Sequence, residues 1–129
     1  MIVGLGIDVV EIARIQRILA GPPARAERFL ARVFTPSERA YCDPAHDRAA
    51  RYAARFAAKE AASKALGAPR GIGWHDVEVV RAPSGAPGLT LSGVAAEEAR
   101  ARGVARVLVT LSHDGGVAVA AAVLEGGGA

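Results

Sequence analysis

The chain has 129 residues and a 51% hydrophobic fraction, the size and apolar content of one domain whose core needs neither disulfides nor a structural metal. A net charge of +3, with an isoelectric point near 9.6, points to acidic partners: nucleic acid, a phosphorylated small molecule or an acidic protein. One cysteine, Cys42, excludes an intrachain disulfide framework, and no apolar run approaches the about 20 residues of a membrane-spanning helix.

The opening MIVGLGIDVVEI has no basic stretch before its apolar run and carries Asp8 inside it, so it does not read as a secretory signal, and a cytoplasmic protein is expected. Residues Ile2 to Val10 are rich in β-branched side chains and predict a buried strand, with Gly4 and Gly6 allowing close backbone approach and Asp8 projecting near the end. Ile12, Ile15, Ile18 and Leu19 then recur at helical spacing opposite Arg14 and Arg17, until Gly21-Pro22-Pro23 stops the pattern. A second helix is predicted over Ala24 to Val33. A third begins at Thr35-Pro36-Ser37-Glu38, with Thr35 as cap, Pro36 at the first position and Glu38 three residues after the cap.

The longest helix should span about Asp47 to Leu66, rich in alanine and stopped by Gly67 and Pro69. Beyond the loop Gly71-Ile72-Gly73, strands are predicted at Val77 to Val80 and Gly88 to Leu91, joined by a turn over Ser84-Gly85-Ala86-Pro87. Ser92 is placed to cap a helix from Gly93 to Arg102, closed by Gly103. Two last strands, Val104 to His113 and Val117 to Leu124, are joined by Asp114-Gly115-Gly116. This order predicts an α+β fold, an antiparallel sheet packed by helices, as a single domain over residues 1–125 with a flexible tail at 126–129. With aromatic residues at 5% and much of the apolar content alanine, each buried side chain contributes little area, and self-association would help such a core.

Three groups carry possible chemistry. Glu60 and Lys64, four apart on the long helix, share a face with Phe56 and Ser63; alone, such a pair reads as a solvated ion pair. The alanines around it and a carboxylate at Asp8, on a strand built for burial, suggest more. Two hard carboxylate oxygens from separate elements beside a lysine suit Mg²⁺ whose other ligands are water and phosphate oxygens, with the lysine neutralising or protonating a phosphate leaving group. His113, at a strand end before a tight turn, either meets a phosphate or fills the turn by hydrogen bonding. Cys42 reads as a packing thiol rather than a nucleophile, and His46 and His75 have no comparable context. A Mg²⁺-dependent nuclease and a non-enzymatic basic binding module are the rival readings, since both also use basic clusters.

The segments GIDVVEI, RFAAKEAASKALG, GIGWHDVEVV and TLSHDGGVAVAAAV, in this order and over nearly the whole chain, closely resemble the holo-acyl-carrier-protein synthases, the short 4′-phosphopantetheinyl transferases. The resemblance implies transfer of the 4′-phosphopantetheine arm of coenzyme A to a serine of apo-acyl carrier protein, a step of fatty acid biosynthesis, releasing adenosine 3′,5′-bisphosphate. It implies Mg²⁺ on Asp8 and Glu60, and Lys64 on the pyrophosphate as a candidate acid. It places His113 near the nucleotide phosphates, and Arg55 and Pro87 in the nucleotide pocket. It further implies a homotrimer with sites at subunit interfaces, His113 serving a neighbour, and a docking face for acyl carrier protein formed by Arg14, Arg17, Arg25 and Arg28. Neither nucleic acid nor membrane is an expected partner, and the base that takes the serine proton stays open between Glu60 and a water.

Overall fold

The computed structural model describes residues 1–127, and the fold within them follows from how closely small residues let one helix lie on one sheet. Strand β1 (Ile2–Glu11) pairs antiparallel with β5 (Val117–Gly126), which pairs antiparallel with β4 (Val104–Asp114), giving a three-stranded sheet of order β1-β5-β4. Strand periodicity sends Gly4, Gly6, Asp8 and Val10 to one face, in register with Leu124, Ala122, Ala120 and Ala118 of β5. Helix α4 (Arg48–Ala65) crosses this face and buries Ala57, Ala58, Ala61, Ala62 and Ala65 against it.

The glycines make this seam possible. A Cβ at Gly6 would lie 1.9 Å from the Ala61 carbonyl oxygen, and one at Gly4 would lie 2.4 Å from that of Ala65. Only two glycines with no side chain there let the backbones of β1 and α4 come this close. Asp8 is the next residue on the same face, so the seam that needs glycine delivers a carboxylate to the flank of α4.

Three helices wrap the N-terminal half of α4: α1 (Ile12–Ala20), α2 (Pro23–Val33) and α3 (Pro36–Cys42). Helix α3 starts with the reciprocal cap predicted for it: the Thr35 side chain accepts from the Glu38 backbone N–H, and the Glu38 carboxylate accepts from that of Thr35. After α4, Gly67 takes φ +81°, the left-handed stop expected of glycine. A 3-10 turn, Trp74–Asp76, leads into the hairpin β2 (Val77–Arg81) and β3 (Pro87–Leu91), then α5 (Gly93–Ala101). The core joins the aromatic cluster Phe29, Phe34, Tyr52, Phe56 and Trp74 to the alanine seam, and Cys42 is fully buried within it.

Four expectations need correction. Strand β1 is buried on one face only: Leu5, Ile7 and Val9 on the other face are 68%, 59% and 58% exposed. Ser92 makes no capping hydrogen bond, and α5 ends at Ala101, one residue before Arg102. The glycine-rich end does not begin as a tail. Gly126 closes β5 and donates to the Met1 carbonyl at 2.7 Å, and Gly127 donates to that of Gly103 at 3.2 Å. Composition suggested a tail, but the edges at Met1 and Gly103 offer acceptors that a backbone N–H takes whatever its side chain; residues 128–129 lie outside the described part.

Candidate active site

Because α4 lies on β1 through the glycine seam, its outer edge brings Glu60 and Lys64 beside Asp8. The Lys64 ammonium donates to the Asp8 carboxylate at 2.9 Å and to the Ile7 carbonyl at 3.1 Å. The ion-pair partner of Lys64 is therefore Asp8, on another element, and not Glu60 four residues earlier on its own helix. Lys64 is 53% exposed and Asp8 16% exposed, so Asp8 is less buried than a strand end in a closed core would be.

Glu60 is half-buried. Its carboxyl is held above the ordinary glutamate range, first by burial and then by the negative charge of Asp8, with Lys64 and Arg14 pulling the other way. A glutamate whose carboxyl is held up by the charge of a neighbouring aspartate makes with it a donor pair that a divalent cation would stabilise. Among the described residues no group of three or more His, Cys, Asp or Glu side chains converges on one point. Two carboxylates without a third protein ligand fit a Mg²⁺ that takes its remaining ligands from water and phosphate, and fit poorly with a metal that demands an all-protein cage.

Beside Glu60 lies a half-open recess of about 80 Å³ lined by Lys59, Ser63, Ile72, Gly73, Trp74 and Val77. Lys59 is buried and fully bonded: its ammonium donates to Glu38 at 2.9 Å, to the Trp74 carbonyl at 3.1 Å and to the Val77 carbonyl at 2.5 Å. Glu38 also accepts from the backbone of Thr35 and Val79 at 2.8 Å each.

Arg55, Pro87 and His113 do come together, in a second and larger cleft of about 260 Å³. Tyr41, Arg51 and Arg81 line it with them, and the guanidinium carbons of Arg55, Arg81 and Arg51 lie 4.2, 4.6 and 4.9 Å from the Tyr41 ring centroid. Arg81 also donates to the Tyr41 hydroxyl. Burial lowers the pKa of Arg55 from its ordinary value. Three arginines around one ring, with Asp47 as the carboxylate pairing Arg51 at 2.9 Å, leave an excess of positive charge suited to phosphate. Arg51 stands one helical turn before Arg55, a spacing visible in the sequence; Tyr41 and Arg81 carried no local signal.

The two clefts share no lining residue. Arg55 and Glu60 are five residues apart on α4, which turns them about 140° away from each other. The chain thus separates the carboxylate edge from the cationic cleft.

The remaining basic residues behave as a surface. Arg14, Arg17, Arg25 and Arg28 are all exposed on α1 and α2, and none of them makes an ion pair among the described residues. Arg14 lies nearest the site, its guanidinium 5.5 Å from the Phe56 ring centroid. The Cys42 thiol is pushed up to about 11 by burial, which leaves it a packing group. Among the described residues no helix is long and apolar enough to cross a membrane.

This arrangement recurs in known proteins. The family model of the 4′-phosphopantetheinyl transferase superfamily matches residues 4–122. A holo-[acyl-carrier-protein] synthase of Anaeromyxobacter dehalogenans (strain 2CP-C) is 73% identical over 128 residues, 99% of each chain, and one of Myxococcus xanthus is 58% identical over 125 residues, 97% of this chain and 96% of that one. Among solved structures, the Helicobacter pylori holo-[acyl-carrier-protein] synthase in complex with coenzyme A superposes with a TM-score of 0.79 at 34% identity, covering 94% of this chain and 99% of that one. The Neisseria meningitidis synthase gives 0.84 at 29% identity, covering 97% and 99%. With the α+β architecture, the full-length match and the motif residues in place, the chain belongs to the 4′-phosphopantetheinyl transferase superfamily, within its holo-[acyl-carrier-protein] synthase family.

Proposed function

We propose that this protein transfers the 4′-phosphopantetheine arm of coenzyme A to a serine of apo-acyl carrier protein, in a Mg²⁺-dependent reaction that releases adenosine 3′,5′-bisphosphate. The observation that carries the reading is the convergence of Asp8 from β1 with Glu60 and Lys64 from α4, the lysine within 2.9 Å of the Asp8 carboxylate. The names of the relatives and the coenzyme A in the Helicobacter pylori structure support the substrates. Family membership leaves the nuclease and binding-module readings without support.

Asp8 and Glu60 would hold Mg²⁺, which when bound would neutralise charge on the pyrophosphate of coenzyme A. Lys64, half-exposed on a flexible stem, is free to leave Asp8 for the bridging oxygen of that pyrophosphate. The serine oxygen of the carrier bonds to the β-phosphorus, the bond from that phosphorus to the bridging oxygen breaks, and the electron pair leaves on adenosine 3′,5′-bisphosphate, where Lys64 offsets the charge or donates a proton. The serine proton needs an acceptor. Glu60 itself or a water held at this edge would take it.

The nucleotide belongs in the cleft of Arg55, Pro87 and His113, with Arg51, Arg81 and Tyr41. Since that cleft is turned away from Asp8 and Glu60, a complete site needs the cleft of one copy against the carboxylate edge of another. If His113 serves a neighbour, Arg55 and Pro87 do so too. The bare apolar face of Leu5, Ile7, Val9 and Leu108 is the surface through which copies would pack, consistent with a trimer having sites at its interfaces. Arg14, Arg17, Arg25 and Arg28 would receive the acidic carrier. A cytoplasmic location suits a free buried thiol and a soluble carrier.

Intact mass spectrometry of an apo-acyl carrier protein incubated with this protein, coenzyme A and Mg²⁺, beside an EDTA control, tests the reading. A gain of one phosphopantetheine arm only with metal is expected; no gain with several carriers overturns it.

A further inference from the structure

Of the three arginines in the larger cleft, Arg51 is paired with Asp47, whereas Arg55 and Arg81 have no carboxylate partner among the described residues. Arg55 is buried on α4, and its hydrogen bond runs to the Arg51 carbonyl of its own helix at 3.5 Å. Arg81 is exposed at the end of β2 and donates to the Tyr41 hydroxyl. The cleft thus has two cationic walls on different elements, Arg51 and Arg55 on α4 and Arg81, Gly85 and Pro87 on the hairpin. Near its start β2 is tied to the helices by Lys59 and Glu38, which bond the Val77 carbonyl and the Val79 N–H. At its last residue the tie is Tyr41, which follows from α3 and has all three guanidinium carbons within 5 Å of its ring centroid.

We propose that Tyr41 is a positioning residue for nucleotide binding: its ring gathers Arg51 and Arg55, its ring and hydroxyl hold Arg81, and the two cationic walls are set before a phosphate arrives. The inference rests on the proposed function, which puts the nucleotide in this cleft. Three guanidiniums around one point repel each other, and without a common partner they would turn apart into water. A carboxylate in place of Tyr41 would gather them but cancel charge that the phosphates need. A ring attracts cations through its negative face and leaves their formal charge intact. Arginines already held also lose less freedom when the ligand binds than arginines loose in solvent.

Titration calorimetry of adenosine 3′,5′-bisphosphate into the full-length assembled protein, repeated at several salt concentrations, tests the role. Tyr41→Leu removes ring and hydroxyl and should weaken binding about twentyfold. The affinity that remains should depend less on salt, because fewer fixed cations meet the phosphates. Tyr41→Phe keeps the ring and should weaken binding only about threefold, through the lost bond to Arg81. Made in an Arg81→Met protein, the same Tyr41→Phe change should cost nothing further. A thermal melt reports folding, and the cycle with Arg81 decides the matter if Tyr41→Leu does not fold. Three results each overturn the positioning role and leave the transferase reading intact. One is wild-type affinity in a folded Tyr41→Leu protein. Another is a loss with an unaltered salt dependence, which would put the ring against the nucleotide itself. The third is a Tyr41→Phe change that is silent, or whose loss persists undiminished in Arg81→Met. Failure of the wild-type protein to bind adenosine 3′,5′-bisphosphate, with no mass gain on the carrier, overturns the reading itself.

Discussion

Helix α4 carries two lysines five residues apart, each 2.9 Å from a carboxylate, and their surroundings assign them opposite work. Lys59 is 1% exposed, and every proton on it and both oxygens of Glu38 are committed to fixed partners. Such a pair holds α4, α3 and β2 in one geometry, and burial lowers the pKa of the lysine. Lys64 is half in water, shares Asp8 with nothing as rigid, and stands beside a glutamate whose proton affinity is raised. A pair that can be broken at little cost is available to a substrate; a pair whose loss would strand a buried charge is not.

The comparison is broken most severely at Glu60. Glu60→Gln should lower Mg²⁺-dependent turnover by at least about a thousandfold while the thermal midpoint stays close to wild type, because the amide keeps the shape and removes a charge that is already strained by Asp8. Unchanged turnover would take Glu60 out of the site. Lys59→Met should act in the other currency. It leaves Glu38 buried without its cation, and a urea melt should show a loss of about 3–5 kcal/mol. Adding Glu38→Gln should recover part of that loss; two losses that simply add would mean the lysine and glutamate are not coupled.

Lys64→Met sharpens the contrast. The exposed pair it removes is worth less than about 1 kcal/mol, so stability should scarcely move, while turnover at saturating substrates falls about tenfold to a hundredfold through loss of the leaving-group cation. If Lys64→Met instead melts as early as Lys59→Met, the distinction between the two lysines fails.

Much of this was legible in the chain, where the signal was local. The Thr35 to Glu38 cap, the Gly67 stop, the two hairpins and the glycine spacing of β1 rest on a few adjacent residues and stand in the structure as read. What escaped depends on residues meeting across the fold. Glu38 was read as a capping residue alone, yet it also closes the ion pair with Lys59, which no spacing announces. Helical periodicity offered Glu60 to Lys64, whereas the seam of β1 against α4 supplied Asp8 instead. The exposed face of β1 has a strand's apolar alternation, and its composition cannot distinguish a face buried within the chain from one left bare.

The smallest effect, and the one that reaches beyond α4, concerns Arg14. It is exposed on α1, lies against Phe56, and is one of the charges that act on Glu60, so it stands where the basic surface meets the edge of Asp8, Glu60 and Lys64. Arg14→Glu should raise the KM for the carrier about tenfold at low salt and flatten the salt dependence of kcat/KM, since complementary charge mainly speeds encounter and is screened by ions. Coenzyme A affinity should be unchanged. Arg25→Glu, more remote from Glu60 on α2, should shift the carrier KM in the same direction by less. An unaltered carrier KM in both variants would reduce the arginine face to a solvated surface. A loss of kcat confined to Arg14→Glu would instead show that this residue works through Glu60, tying the docking face to the half-open pair and leaving the buried one aside.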